Sequence, residues 1–297
     1  MIYRIIHQTD YTYNHPIGVC YNILKLRPRS LPFQKVHAFH LSLSPLPTEQ
    51  REENDFFGNV MHTCMIHSPH THLTIKTQSI VEVMFSPYTF PLISWENYKM
   101  EIERLPAYER YDVLSMSLAS PLIPLHSKAL EPFIQEIMTS RDDLYHVIQN
   151  LLSLMTNHFE FQAGITTVST PLEEILRVRK GVCQDFAHVT IAILRRLGLC
   201  ARYVSGYIRT YPPEGQPRLV GVDASHAWVS LYVPTRGWID IDPTNNRFVN
   251  DDYVVVAYGR DYSDITPIKG VWTGQGWTSL HVSVDMAPID EENKGDL

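Results

Sequence analysis

The run Lys180-Gly181-Val182-Cys183-Gln184-Asp185-Phe186-Ala187-His188 governs how the remainder of the chain folds around it. A glycine stands two positions before a cysteine, and an amphipathic pattern begins at the cysteine. Apolar residues recur at Val182, Phe186, Val189, Ile193 and Leu197, in helical steps of three and four. A second row, Cys183, Ala187, Thr190 and Leu194, runs beside the first. The spacing predicts a helix that starts at Cys183 and turns the thiol inward. Unpaired N–H groups and the positive end of the helix dipole at that start favour thiolate over thiol. Just upstream, Thr170-Pro171-Leu172-Glu173 predicts a capping box that opens a short helix. Arg177, Arg179 and Lys180 then gather positive charge ahead of the Gly181 break. A lone cysteine in such a helix is ordinarily a packing residue, so its partners elsewhere in the chain decide its role.

The 297 residues leave room for two domains or one large one, and 44% hydrophobic with 19% charged residues is ordinary for a folded chain. Net charge is −7 and no block of lysine and arginine occurs, which argues against a nucleic-acid partner. No apolar run approaches the ~18 residues of a spanning helix, so no membrane role is expected. The start, Met1-Ile2-Tyr3-Arg4-Ile5-Ile6-His7-Gln8, has no signal-peptide core. Four scattered cysteines, Cys20, Cys64, Cys183 and Cys200, form no CxxC pair, and this points to reduced thiols and a cytoplasmic location.

Residues 1–90 read as strands separated by turns, an antiparallel β-sandwich. Examples are the alternation from Tyr3 to Tyr13, the stretch Val36 to Leu43, and Val60 to Ile66 after the turn Asp55-Phe56-Phe57-Gly58-Asn59. Residues 91–124 are punctuated by prolines and read as a linker with short helical pieces. Residues 125–289 read as a core in which helices precede strands. Asp142 and Asp143 open one helix, and Arg202 to Ile208, His226 to Val233 and Trp238 to Asp242 are strands. Tyr211 to Pro217 is a loop, Gly274 and Gly276 mark a hairpin turn, and 290–297 is a disordered acidic tail. The expected class is α+β.

A thiol nucleophile needs a base, and the base needs an orienting group. Asp223-Ala224-Ser225-His226-Ala227-Trp228 puts His226 at the start of an alternating strand. Trp238-Ile239-Asp240-Ile241-Asp242-Pro243 puts Asp240 and Asp242 on one face of the next. If Val233 paired with Trp238, Asp242 would lie opposite Val229, on the wrong face. If Tyr232 pairs with Trp238, Asp242 lies opposite Trp228 and diagonal to His226, ~7–8 Å away between backbones and within side-chain reach. Contact therefore requires a connection from Val233 to Gly237 with a bulge at the glycine.

These residues, in the order Cys, His, Asp, resemble the transglutaminase-like superfamily, whose fold is papain-like. The matching segments are Gly181 through His188, Ala201-Arg202-Tyr203-Val204-Ser205-Gly206-Tyr207, Ala224-Ser225-His226-Ala227-Trp228, and Trp238 through Asp242-Pro243-Thr244-Asn245. Leu26-Arg27-Pro28-Arg29 and Asp55 through Asn59 resemble the N-terminal β-domain of bacterial transglutaminase-like proteins, and Gly259 through Ile265 resembles their C-terminal end. The resemblance implies Cys183 as nucleophile, His226 as base and Asp242 as its orienter. It implies acyl transfer on a peptide or protein amide through a thioester, resolved by water or by an amine, with no cofactor. The backbone N–H of Cys183 supplies one oxyanion donor. An alternative is a papain-like binding or scaffold module without chemistry.

Other candidates carry less. His62, Cys64, His67, His70 and His72 match no zinc spacing, so no metal is expected. His188 reads as helix packing near the site, Asp185 as a residue complementing the helix dipole, and Cys20 and Cys200 as small buried hydrophobes.

Overall fold

The computed structural model describes residues 1–88, 93–94, 97–138, 143–211 and 224–289. The acidic tail expected at 290–297, the loop residues 212–217 and the helix-opening Asp142 lie outside the described residues.

Six strands come first: β1 (Ile2–Ile17), β2 (Val19–Leu24), β3 (Gln34–Ser44), β4 (Glu49–Asn54), β5 (Val60–Ile66) and β6 (His70–Val83). Helices α1 (Tyr98–Glu103), α2 (Ala107–Ser115), α3 (Glu131–Met138) and α4 (Leu144–His158) follow. Next come β7 (Glu160–Phe161), α5 (Leu172–Val178), β8 (Lys180–Gly181) and α6 (Cys183–Arg196). The chain continues through β9 (Ala201–Ile208), β10 (Ala224–Val233), β11 (Gly237–Asp242), β12 (Arg247–Phe248) and β13 (Tyr253–Gly259). It closes with β14 (Ile268–Thr273) and β15 (Thr278–Pro288).

The N-terminal strands form two four-stranded antiparallel sheets, in the orders β15-β1-β6-β3 and β14-β2-β5-β4. Period-two burial drives this. Along β1, Tyr3, Ile5, His7 and Thr9 point inward while Arg4, Ile6 and Gln8 do not. The last two strands return to this sandwich. Residues Tyr3–Tyr13 of β1 pair with Thr278–Pro288 of β15, and β14 pairs with β2. The expectation that 125–289 forms one unit therefore gives way at its C-terminal end, because backbone pairing with β1 and β2 makes the two final strands part of the sandwich. Gly274 and Gly276 consequently lie in a connection between the two sheets and not in a hairpin.

The stretch expected as a linker is packed. Tyr98, Ile102, Val113 and Met116 from 97–116 are buried in the main core, and Tyr98 Oη donates to the carbonyl of Tyr232 at 3.0 Å. Short proline-bounded helices hide the 3.6-residue period that a longer helix would display.

The core sheet is antiparallel, in the order β12-β11-β10-β9-β13, with α6 packed across β9 and β10. The amphipathic reading of α6 is too narrow, because every residue from Gln184 to Arg195 is buried. Such a helix is enclosed by α3, α4, α5 and the sheet. Near its end, the Arg195 guanidinium donates to the carbonyls of Met116, Leu118, Ala201 and Arg260.

Strand β13 is an edge, and side-chain amides cover it. Gln34 donates Nε2–H to the carbonyl of Val255 at 2.8 Å and accepts from its N–H at 2.7 Å. Asn59 makes the same two-way contact with Tyr258, at 2.8 Å each way. Asn59 is held by Asp55, which closes the turn from Asp55 to Asn59. The β-sandwich thus docks on the core by imitating a strand, which satisfies backbone groups along this edge.

Candidate active site

Cys183 is the first residue of α6, as the sequence predicts. The helix start is held by Asp185, whose carboxylate accepts from the Val182 N–H at 2.7 Å and from Thr166 Oγ1 at 2.6 Å. Asp185 is buried, and burial raises its pKa against these two hydrogen bonds. It does more than complement a dipole: it joins the loop at Thr166 to the turn that carries Cys183. Gly181 makes this possible, since a Cβ there would sit 2.3 Å from Asp185 Oδ2. Gln184 ties the same loop from the other side, its Nε2 donating to the Val168 carbonyl at 3.2 Å. The parallel pairing of Phe161 with Gly181 fixes the loop's beginning.

Two local expectations are corrected. The capping box at Thr170 does not form. α5 has Pro171 at its N-cap with no side-chain hydrogen bond, because Thr170 Oγ1 accepts from the Thr167 N–H and Glu173 accepts from Ser127. The three cations ahead of Gly181 have other partners. Arg177 pairs with Glu174, Arg179 lies over the Phe133 ring and Lys180 pairs with Glu160.

The strand register is the one on which contact between His226 and Asp242 depends. Tyr232 pairs with Trp238 and Val233 with Gly237. The turn between them has positive φ at Thr235 (69°) and Gly237 (81°). Extending the register places Asp242 opposite Trp228, and the side chains meet: His226 Nε2 lies 2.7 Å from Asp242 Oδ2. Nε2 is engaged there, and Cys183 is a further hydrogen-bonding partner of this imidazole. Burial disfavours the imidazolium, but the hydrogen bonds and charges of Asp242 and Cys183 outweigh it and raise the His226 pKa to about 10.

Asp242 is fully buried and accepts from His226 Nε2, Asn245 Nδ2 and Tyr253 Oη at Oδ2, and from the N–H groups of Thr244 and Asn245 at Oδ1. Burial pushes its pKa up, while His226, Asn245 and Tyr253 together bring it below the ordinary carboxylate value. The residue is both turn former and imidazole partner, because its two oxygens serve the two tasks separately. Asn245 and Tyr253 are the residues that sequence reasoning missed. Asn245 stood in the quoted segment without a role, and its Asx-turn spacing from Asp242 was the available signal. Tyr253 lies 11 positions on, on a strand not adjacent to β11, and no local pattern announces it.

His188 is buried beside Tyr203, and its Nε2 accepts from the Tyr262 N–H at 3.2 Å. Burial lowers its pKa to about 4, so it is a neutral packing group. Within the histidine-rich tract, His62 is buried and pairs with Glu52 at 2.9 Å, while His67 and His70 contact Met65 and the Ser68 carbonyl. Among the described residues, no helix is long and apolar enough to cross a membrane.

Comparisons with known proteins follow this architecture. The bacterial transglutaminase-like N-terminal region matches residues 3–82, and the transglutaminase-like superfamily matches residues 131–243. An uncharacterized Mycobacterium tuberculosis protein is 36% identical over 97% of this chain and 93% of its own length. A protein-glutamine gamma-glutamyltransferase of Pseudomonas aeruginosa is 30% identical over 32% of this chain and 16% of its own length. A solved structure from Cytophaga hutchinsonii, provisionally named a cysteine protease, superposes with a TM-score of 0.73 at 20% identity, covering 98% of this chain and 92% of that one. With both its β-rich N-terminal region and its core matched, this chain belongs to the transglutaminase-like superfamily.

Proposed function

We propose that the protein is a cysteine-dependent enzyme acting on amide bonds of peptides or proteins, with Cys183 as nucleophile, His226 as acid and base, and Asp242 as the group that orients His226. The observation that carries this reading is the 2.7 Å contact from His226 Nε2 to Asp242, which leaves the other ring nitrogen for the thiol at the start of α6. The superfamily membership and the name of the Pseudomonas relative favour acyl transfer in general.

In this reading the Cys183 sulfur attacks the amide carbonyl carbon. The carbonyl oxygen takes up negative charge and accepts from the Cys183 backbone N–H, which the helix geometry leaves without an intrahelical acceptor. His226 delivers its proton to the departing nitrogen, the C–N bond breaks, and a thioester remains. Water or an amine then attacks the thioester, giving up a proton to His226 and releasing the sulfur as acid or new amide forms. Asp242 keeps the Nε2–H tautomer in place throughout.

The test is turnover of a glutamine-containing peptide with and without a primary amine, in the wild type and in Cys183→Ala. Cys183-dependent product carrying the amine marks a transferase, and release of the free acid marks a hydrolase. Absence of any Cys183-dependent product would leave the fold as a binding module. We also place the protein in the reducing cytoplasm, on the ground that its cysteines are free. Recovery of the native protein in an oxidising extracytoplasmic fraction would overturn that placement.

A further inference from the structure

A cavity of about 600 Å³ lies where the β-sandwich meets the core sheet. It is separate from the thiol, since neither Cys183, His226 nor Asp242 lines it, and the fully buried Trp228 stands between. Its volume is that of a small-molecule site. Aromatic walls come from Tyr88, Trp238, Tyr253 and Tyr258, and aliphatic ones from side chains such as Val83 and Val255. A more open depression shares Phe85, Tyr88, Val249 and Asn250 with it and offers a way in.

The charged groups are mostly cationic. Arg29, Arg202 and Arg236 line the cavity against the single carboxylate of Asp240. That carboxylate is already engaged by the Trp228 indole N–H at 3.0 Å. Arg202 is the central group. Its guanidinium carbon lies 3.5 Å from the Tyr258 ring centre and 4.0 Å from that of Trp238, over both aromatic rings. Stacking occupies its faces and the Tyr258 hydroxyl takes part of its N–H edge, but its buried Nε has no hydrogen-bond partner. Asp240 acts on it only through charge at a distance. Arg29 likewise has a buried Nε without a partner. A guanidinium withdrawn from water without a hydrogen-bonded anion is costly to keep, and an incoming carboxylate would satisfy its in-plane N–H groups.

We infer that this cavity is a binding site for a small organic carboxylate with an aromatic body, its carboxylate on Arg202 and its ring among the tyrosines. The site shares a residue with the active centre. Tyr253 forms part of the wall and also donates to Asp242.

Calorimetric titration of the full chain with benzoate, 4-hydroxybenzoate and indole-3-acetate tests this, with benzamide and inorganic phosphate as controls. At least one carboxylate should bind with one site per chain, and benzamide should bind about tenfold or more weakly. Arg202→Met should weaken binding by a similar factor. So should Val249→Phe, which fills the shared wall without touching an arginine, so the outcome can be read even if the arginine variant does not fold. Binding should persist in Cys183→Ala, which distinguishes this cavity from the thiol site whether or not the proposed activity is found. Absence of carboxylate binding at millimolar concentration, equal binding of benzamide, binding of phosphate alone, loss of binding in Cys183→Ala, or unchanged affinity in both folded cavity variants would each overturn it.

Discussion

The hydroxyl of Tyr253 donates to Asp242 Oδ2 at 2.7 Å, onto the oxygen that His226 Nε2 reaches at the same distance. The carboxylate that would orient the imidazole is thus itself held from a third strand. Arg247 Nε in turn donates to the tyrosine oxygen at 2.9 Å, which polarises its O–H toward Asp242.

Loss of this support should slow turnover without abolishing it. Tyr253→Phe removes one donor and Asn245→Ala removes the amide donor at 2.6 Å. Each should lower kcat by about tenfold, with KM little changed, by analogy with the loss seen when outer partners of a site are removed. Asp242→Asn should cost far more, on the order of 10³–10⁴, because the imidazole would lose its tautomer. Steady-state kinetics on the glutamine peptide checks the ranking, and equal effects for all three variants would contradict it.

Protonation of His226 gives a pH signature. Its pKa is raised to about 10, above the ordinary histidine value of 6.5. The stabilisation from its contacts is therefore fully present below pH ~6.5 and is lost as the pH rises through about 10. For the depressed Asp242 the sign is opposite: its contribution is present at neutral pH and fades on acidification. Urea denaturation of the wild type should therefore show stability falling between pH ~6.5 and ~10, a fall that His226→Ala should lack. An identical alkaline fall in both chains would remove the raised His226 from the account.

Gly181→Ala should be destabilising although its backbone conformation suits any residue. The added methyl would meet Asp185 Oδ2 at 2.3 Å and push the carboxylate off the Val182 N–H. Overpacking of this kind costs ~1–3 kcal/mol, and the displaced carboxylate would leave the start of α6 uncapped. Urea denaturation measures the first effect, and lost alkylation selectivity at Cys183 reports the second. Wild-type stability would mean that Asp185 moves freely.

Truncation after residue 266 should prevent folding of the sandwich as well as remove the final strands. β15 covers one side of β1 along Tyr3–Tyr13, and β14 covers β2. Buried Val284 and Met286 belong to the main core, so two large apolar side chains leave with them. The expected result is an insoluble or molten chain, read by loss of a cooperative thermal transition. A truncated chain that melts like the full one would show the sandwich complete without them.

Much of the site was legible because its information is local. The start of α6 follows from a helical period and a glycine break. The strand faces of His226 and Asp242 follow from period-two alternation, and counting from Val233 to Gly237 selects the one register that lets them meet. Contacts between distant segments left no such trace. Gln34 and Asn59 each pair with β13 across about 200 positions, and a lone amide has no periodicity to betray it.

By itself the sequence determined the residue types, the local elements and the side of each strand on which chemistry-bearing groups sit, since these depend on neighbours a few positions apart. Tertiary structure alone decided that the last two strands return to the N-terminal sandwich, that Tyr253 holds Asp242, and that Arg202 faces a cavity with its Nε unpaired. Those outcomes come from burial and backbone pairing between segments that the chain order keeps apart, where many partners are compatible with the same local pattern and only the packed whole selects one.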